Sequence, residues 1–384
     1  RYLFLTGNEA IALGAVCCGA RFMAAYPITP ASEIMENLVK LLPALGGVVI
    51  QTEDEIAACT MAIGANYGGV RAFTASSGPG LSLMVESIGL AGMTETPLVI
   101  VNVQRGGPST GLPTKHEQSD ILAMLYATHG EIPKIVMAPC SVADAFYDTA
   151  EAFNLAEEYQ CPVIVLSDLQ LSLGKQAVVP FALDQVSIRR GKLQTAPLPP
   201  LPPNTFFKRY AVTNDGISPR VVPGQLYGIH HVTGLEHDET GKPSEQRTNR
   251  QEQTDKRLRK LQELPSVFKR PVHIDAPYEV AEVLIIGMGG AAGAVAEVTE
   301  RLRQEGVKAN YALLRLIEPF PVDAIKEIVA AAQKVLVVEH NATRQLAKLI
   351  KLHTGEGQKI ISVLKYDGEP FIPGELHASC KGWL

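Results

Sequence analysis

Short apolar runs recur through the first half of this chain, and a stretch of helical periodicity separates each from the next. Val48-Val49-Ile50, Ala72-Phe73-Thr74, Leu98-Val99-Ile100-Val101, Ile135-Val136-Met137 and Val163-Ile164-Val165-Leu166 are nearly continuous in apolar residues, the pattern of strands covered on both faces. Helical candidates lie around 8–20, 31–42, 54–66, 80–92, 117–128 and 141–158. Buried strands joined by helices predict an α/β fold on a doubly wound parallel sheet, which we assign to residues 1–180. Ligands of such sheets sit in the loops at the carboxyl ends of the strands. Residues 26–29, Glu53, 76–80 and 105–115 each follow a predicted strand, so four loops are expected to converge on one edge.

After residue 180 the pattern lapses. Pro197-Leu198-Pro199-Pro200-Leu201-Pro202-Pro203 is an extended connector, and 181–265 as a whole is polar, turn-rich and mixed in charge, which reads as a crossing linker. His230, His231, Glu236, His237, Asp238 and Glu239 crowd within it without metal-ligand spacing, and the nearby Gly234 and Gly241 indicate a solvated loop. A second, smaller α/β domain is assigned to 266–384, with strands at 282–286, 308–314 and 335–339. Gly287-x-Gly289-x-x-Ala292 matches a dinucleotide fingerprint, but the next strand runs into Leu314-Arg315 and supplies no acid for a ribose hydroxyl. Close packing of helix on sheet accounts for these glycines.

Composition excludes other classes. With 384 residues and 46% hydrophobic content, the chain can bury more than one core, and two or three domains are expected. Net charge is -5 and neither sign forms a long run, which argues against nucleic acid and against an acidic membrane surface. No uncharged run reaches the roughly 18 apolar residues of a membrane span and no signal-peptide core opens the chain, so no membrane partner and a cytoplasmic location are expected. The chain starts at Arg1, without methionine and inside a strand-like run, which leaves open whether N-terminal sequence precedes it. Cys17, Cys18, Cys59, Cys140, Cys161 and Cys380 lack Cys-x2-Cys spacing and read as buried reduced thiols, with no metal site in this chain.

Chemistry is expected on the four loops. Thr29 can cap the helix that Pro30 opens, leaving free N–H groups and a positive dipole end for an anion. Glu53 ends an apolar strand, and a partly buried carboxyl there would have a raised pKa and could exchange a proton, while Asp54 and Glu55 complement the next helix. Arg105 precedes the flexible Gly106-Gly107-Pro108-Ser109-Thr110-Gly111 and can grip a carboxylate bidentately. Ser76-Ser77-Gly78-Pro79-Gly80 either presents N–H groups to a ligand or makes a tight turn.

Tyr26-Pro27-Ile28-Thr29-Pro30, Gln51-Thr52-Glu53-Asp54-Glu55, Ser76-Ser77-Gly78-Pro79-Gly80 and the run from Gln104-Arg105 to Thr114-Lys115 together resemble the alpha subunits of 2-oxoacid:ferredoxin oxidoreductases, most of all the 2-oxoglutarate enzymes. The likeness runs from Gly7-Asn8-Glu9-Ala10 to about Asp168 and returns in Asp215-Gly216-Ile217-Ser218-Pro219-Arg220 and Gly234-Leu235-Glu236-His237-Asp238-Glu239. It implies a thiamine-diphosphate pyrimidine-binding domain followed by a transketolase C-terminal-type domain. Tyr26, Pro27, Ile28, Ser76, Ser77 and Gly78 are then cofactor contacts. Glu53 is the acid that favours the cofactor's imino tautomer and so its ylid. Thr29 and Arg105 hold the C1 carboxylate of the 2-oxoacid, Ser109 is a substrate contact, and Thr110, Thr114 and Lys115 lie toward the distal carboxylate. No Gly-Asp-Gly diphosphate motif occurs, so the resemblance assigns the diphosphate, Mg2+ and an iron-sulfur cluster to a beta subunit, with α2β2 assembly. Ferredoxin is the implied electron partner and coenzyme A the co-substrate, and any action of the histidine-rich segment is implied to be contact with a partner subunit or with coenzyme A. The implied reaction turns 2-oxoglutarate into succinyl-CoA and CO2, and reversed it fixes CO2, as in a reductive TCA cycle. A pyruvate or broad 2-oxoacid enzyme and a non-catalytic scaffold subunit are the alternatives.

Overall fold

The computed structural model describes residues 2–384. Its first half runs β1 (Leu3–Leu5), α1 (Gly7–Cys17), β2 (Phe22–Ala25), α2 (Ser32–Leu41), β3 (Val48–Gln51), α3 (Glu55–Tyr67), β4 (Ala72–Ser76), α4 (Gly78–Leu83), α5 (Val85–Met93), β5 (Leu98–Gln104), α6 (Ile121–Leu125), β6 (Ile135–Met137), α7 (Val142–Tyr159), β7 (Pro162–Asp168), α8 (Leu169–Leu173) and β8 (Gln176–Val178). The remainder runs α9 (Arg247–Arg259), α10 (Leu264–Val267), β9 (Val272–Asp275), β10 (Ala281–Gly287), α11 (Ala292–Gln304), β11 (Ala309–Leu314), β12 (Leu316–Glu318), α12 (Val322–Ala330), β13 (Ala332–Glu339), α13 (Gln345–Thr354), β14 (Ile360–Leu364) and α14 (Pro373–Lys381).

The expected architecture is present, with every anticipated strand within a few residues of its place. β6, β7, β5, β4, β2 and β3 form a parallel sheet, and every residue of β4, β5 and β7 is buried. The unbroken apolar runs thus correspond to strands with helices on both faces. One strand is foreign: β12, from the second half of the chain, pairs antiparallel with β6 and becomes the seventh strand. A five-stranded sheet, β14-β13-β10-β11-β9, carries the second domain, and β9 is its antiparallel edge.

The linker departs from expectation. Residues 247–259 form α9, although their polarity shows no apolar periodicity, because the buried face of this helix is charged. Lys256 and Lys260 both reach the fully buried Glu95, each at 2.5 Å. Burial alone would raise the Glu95 carboxyl, but the charges of Lys260, Lys256 and Arg209 outweigh it and hold it far below the usual range. The histidine-rich segment is a loop with His231 exposed, as expected, but its solvated reading fails at His237 and Glu236. His237 is fully buried, and Glu236 pairs with Arg257 and Arg250 and is lowered to about 2 by them against the opposing effect of burial.

The two domains meet at the carboxyl edge of the first sheet. Asp168, last residue of β7, caps α8 through Leu171 N–H at 3.0 Å and also accepts Gly290 N–H at 2.7 Å and Gln118 Nε2 at 2.8 Å. Gly289 has φ +55, and a Cβ on it would fall 2.4 Å from Asp168 Oδ2. Helix packing explains Gly287, whose added Cβ would touch Val295, but Gly289 and Gly290 are required by the approach of Asp168. The fingerprint turn therefore holds a carboxylate of its own chain. Beyond it, Gln118 N–H donates to His340 O at 2.8 Å, and Phe371 N–H donates to His340 Nε2 at 3.1 Å.

Burial, followed by the nearby His116, pushes His340 down to about 3 from an ordinary 6.5, with Asp168 opposing and Lys365 adding to the shift. Between those values the unfolded chain binds a proton that the folded chain does not, so stability falls as pH drops from 6.5 toward 3. Urea midpoints measured at pH 7, 5.5 and 4.5 should decline, and His340→Gln should flatten the decline.

Candidate active site

Strand order β5-β4-β2-β3 sets four strand-end loops side by side, so their convergence follows from adjacent parallel strands. Over β2, Thr29 does not act as the expected cap. α2 begins at Ser32, its N-cap residue Ala31 is helical, and no side chain caps it. The Ile28 carbonyl instead accepts the N–H groups of Ala31 at 2.8 Å and Ser32 at 3.0 Å, closing the turn through backbone alone, with a cis Thr29-Pro30 peptide. The Thr29 side chain is left exposed at the loop tip beside the exposed Tyr26, while Pro27 and Ile28 are half-buried.

Over β5, Arg105 is 6% exposed. Its Nη1 donates to the Thr29 carbonyl at 2.6 Å and its Nη2 to the Thr110 carbonyl at 3.0 Å, while Nε has no partner. Burial lowers its pKa, and the charge of Asp120 works against that. The guanidinium thus ties two site loops together and retains an unpaired donor. The loop itself doubles back through Gly111, where φ is +57 and a Cβ would strike the Gly106 carbonyl at 2.0 Å. Ser109, Thr110, Thr114 and Lys115 are exposed along it, and Lys115 pairs with Glu369 of the second domain.

The acids following β3 divide their roles differently from expectation. Glu53 is exposed, not partly buried, because β3 is the sheet's edge strand and its terminal turn faces outward. Asp54 caps α3 by accepting Ala57 N–H at 2.8 Å. Glu55 is the buried one, at 6% exposure. A Cβ on Gly80 would lie 2.6 Å from Glu55 Oε1 and 2.0 Å from Ser76 Oγ, so the β4 turn presses directly on that carboxyl. The signal was in the helix period, since Glu55 shares its face with Ala58, Cys59, Ala62 and Ile63.

Asp120 and its partner Asn102, also on the floor, were missed too. Asp120 accepts Asn102 Nδ2 at 3.1 Å, its N–H donates to Gln104 Oε1 at 3.0 Å, and a Cβ on Gly78 would fall 2.8 Å from its Oδ2. Burial raises its carboxyl, opposed by the Asn102 bond. Around it Thr74 Oγ1, Ser76 Oγ, Ser77 Oγ and Asn102 Oδ1 are buried without a hydrogen-bond partner. Among the described residues no group of three or more His, Cys, Asp and Glu side chains is arranged to hold a metal ion. The six cysteines are unpaired, and burial raises Cys18, Cys59, Cys161 and Cys380 to about 12.

Residues 13–256 match the model of the pyruvate flavodoxin/ferredoxin oxidoreductase thiamine-diphosphate-binding family, and 281–375 match pyruvate:ferredoxin oxidoreductase core domain II. The chain belongs to this oxidoreductase family. It is 39% identical, over 98% of its length, to subunit alpha of 2-oxoacid:ferredoxin oxidoreductase 1 of Sulfurisphaera tokodaii, and spans 60% of that relative. To the 2-oxoglutarate synthase subunit KorA of Methanothermobacter marburgensis it is 40% identical across 97% of this chain and 95% of that one. A solved structure of 2-oxoglutarate:ferredoxin oxidoreductase from Magnetococcus marinus, with 2-oxoglutarate, coenzyme A and succinyl-CoA bound, superposes with TM-score 0.93 at 38% identity, covering 99% of this chain and 65% of that one. A split-gene transketolase shares the fold alone, at TM-score 0.53 and 12% identity.

The crowding at Gly80 is testable within this family's fold. Gly80→Ala must displace Ser76 and Glu55, and thermal unfolding should show a loss of about 1–3 kcal/mol. Gly64→Ala, in α3 with nothing within 4 Å of the new methyl, should instead gain about 0.5–1 kcal/mol.

Proposed function

We propose that the chain is the pyrimidine-binding alpha subunit of a 2-oxoglutarate:ferredoxin oxidoreductase. The reaction is 2-oxoglutarate + coenzyme A + two oxidised ferredoxins giving succinyl-CoA + CO2 + two reduced ferredoxins and a proton, and it reverses toward CO2 fixation when ferredoxin is sufficiently reduced. The observation that carries this reading is the buried carboxyl of Glu55 among unpartnered hydroxyl and amide groups, in a chain similar to KorA almost end to end. An aminopyrimidine edge offers both donors and acceptors, which fits that floor. Thiamine diphosphate, when bound, supplies the carbanion chemistry that adds to a keto carbon and lets CO2 leave.

In this reading Glu55 holds and returns the proton of the pyrimidine ring, replacing Glu53 in that role. Ser76, Ser77 and Asn102 satisfy the polar edge of the ring, and the missing side chains of Gly78 and Gly80 leave room for the Asp120 and Glu55 carboxyls beside it. Arg105, with its free Nε, and the Thr29 hydroxyl hold the C1 carboxylate of the 2-oxoacid, while Ser109, Thr110, Thr114 and Lys115 reach toward its far end. Tyr26, Thr29 and Glu53 are open to solvent, which supports a shared site closed by a beta subunit that brings the diphosphate, Mg2+ and an iron-sulfur cluster in an α2β2 complex. No helix is long and apolar enough to cross a membrane among the described residues. Reduced buried thiols support a cytoplasmic setting.

Dye or ferredoxin reduction by the complex assembled with its beta subunit should prefer 2-oxoglutarate, and preference for pyruvate would overturn the substrate assignment. Glu55→Gln should lower kcat by roughly 10²–10⁴-fold with assembly intact. Glu53→Gln should cost far less, and the reverse ranking would restore Glu53 to the acid's role. Full turnover in both variants would favour a scaffold subunit.

A further inference from the structure

Lys115 closes the Arg105 loop, and its surroundings come from the second domain. Its ammonium pairs with Glu369, and the two side chains keep 45% and 57% of their surface open to solvent. The lysine stem lies across Gly368, where φ is +85 and a Cβ would fall 3.0 Å from Lys115 Cβ and 3.2 Å from its Cγ. Backbone contacts set the register: His116 N–H donates to the Gly368 carbonyl at 2.9 Å, and Glu369 N–H donates to Asp367 Oδ1 at 3.0 Å. A rigid turn of the second domain therefore delivers a carboxylate to the one lysine of the candidate substrate loop. The pair is half-solvated and screened, so it holds weakly, and another carboxylate can exchange with it.

Resting on the reading proposed above, we infer that Glu369 is a specificity-determining residue that stands in for the distal carboxylate of a dicarboxylic 2-oxoacid. It occupies Lys115 between turnovers, and Lys115 leaves it only for a substrate that brings a second carboxylate. A monocarboxylic 2-oxoacid offers nothing to exchange and leaves the pair closed. Glu369 thereby sets how strongly the loop favours 2-oxoglutarate, while its neighbours Gly368 and Asp367 fix where the exchange takes place.

The test is the ratio of kcat/KM for 2-oxoglutarate to that for pyruvate, measured on the assembled complex. Glu369→Gln frees the lysine and should raise the ratio about threefold to fivefold through a lower KM for 2-oxoglutarate, the size expected for an exposed pair. Lys115→Met should lower the ratio by at least about tenfold. The double variant K115E/E369K rebuilds the interdomain pair with its charges exchanged, and the ratio should stay low. Its recovery to the wild-type value would mean that the pair is only a tether and would overturn the inference. So would an unmoved ratio in both single variants, provided the wild-type complex turns over 2-oxoglutarate. A wild-type complex that turns over neither acid overturns the parent reading and this inference with it.

Discussion

One carboxylate joins the two domains at the edge where the chemistry is expected. Asp168 ends β7, starts α8, and fills the glycine turn ahead of α11 through Gly290 N–H. A turn of this kind before a helix is a ready cradle for anions, because its free N–H groups and the helix dipole both favour negative charge. In a dinucleotide-binding protein that anion would be a diphosphate. Here it is a side chain from the neighbouring domain, so ligand recognition has been turned into an interdomain joint. Gln118 bonds to the same carboxylate and to the Met288 carbonyl, so the segment leaving the Arg105 loop is held against both domains.

Much of the fold was legible because its strands are simple. In β4, β5 and β7 burial on both faces demands apolar residues at successive positions, and that pattern survives without any knowledge of the neighbours. α9 was hidden because its buried face consists of Lys256, Arg257 and Gln253, whose partners Glu95, Glu236 and the Tyr210 carbonyl lie far away in sequence. Charge pairing across such separations leaves no period. β12 was hidden for a related reason: three residues, one residue beyond β11 and pairing with β6, carry no pattern of their own.

The site was legible in its loops and not in its side-chain directions. Adjacent motifs predicted which turns would meet, yet Thr29, Glu53 and Glu55 each point where local backbone geometry sends them. Thr29 lost its capping role because Ile28 O closes the turn unaided. Glu53 and Glu55 are two residues apart, one on an edge turn and the other on the buried face of α3. A motif read as a string treats them alike, whereas the helix period separates them.

Comparing Arg71 with Arg105 shows a buried cation matched within the chain and one that is not. Both are nearly fully buried. Arg71 donates to Glu157, to Asn154 and to the carbonyls of Cys18 and Arg189, so its charge and its donors are matched within the chain. Arg105 has two neutral carbonyls and an idle Nε, and Thr74, Ser76, Ser77 and Asn102 on β4, its following turn and β5 also keep idle oxygens. Each buried polar group without a partner costs about 1–3 kcal/mol, and such groups are rare enough that a cluster of them demands an account. A ligand with both donors and acceptors, together with a carboxylate for the guanidinium, would satisfy them all at once.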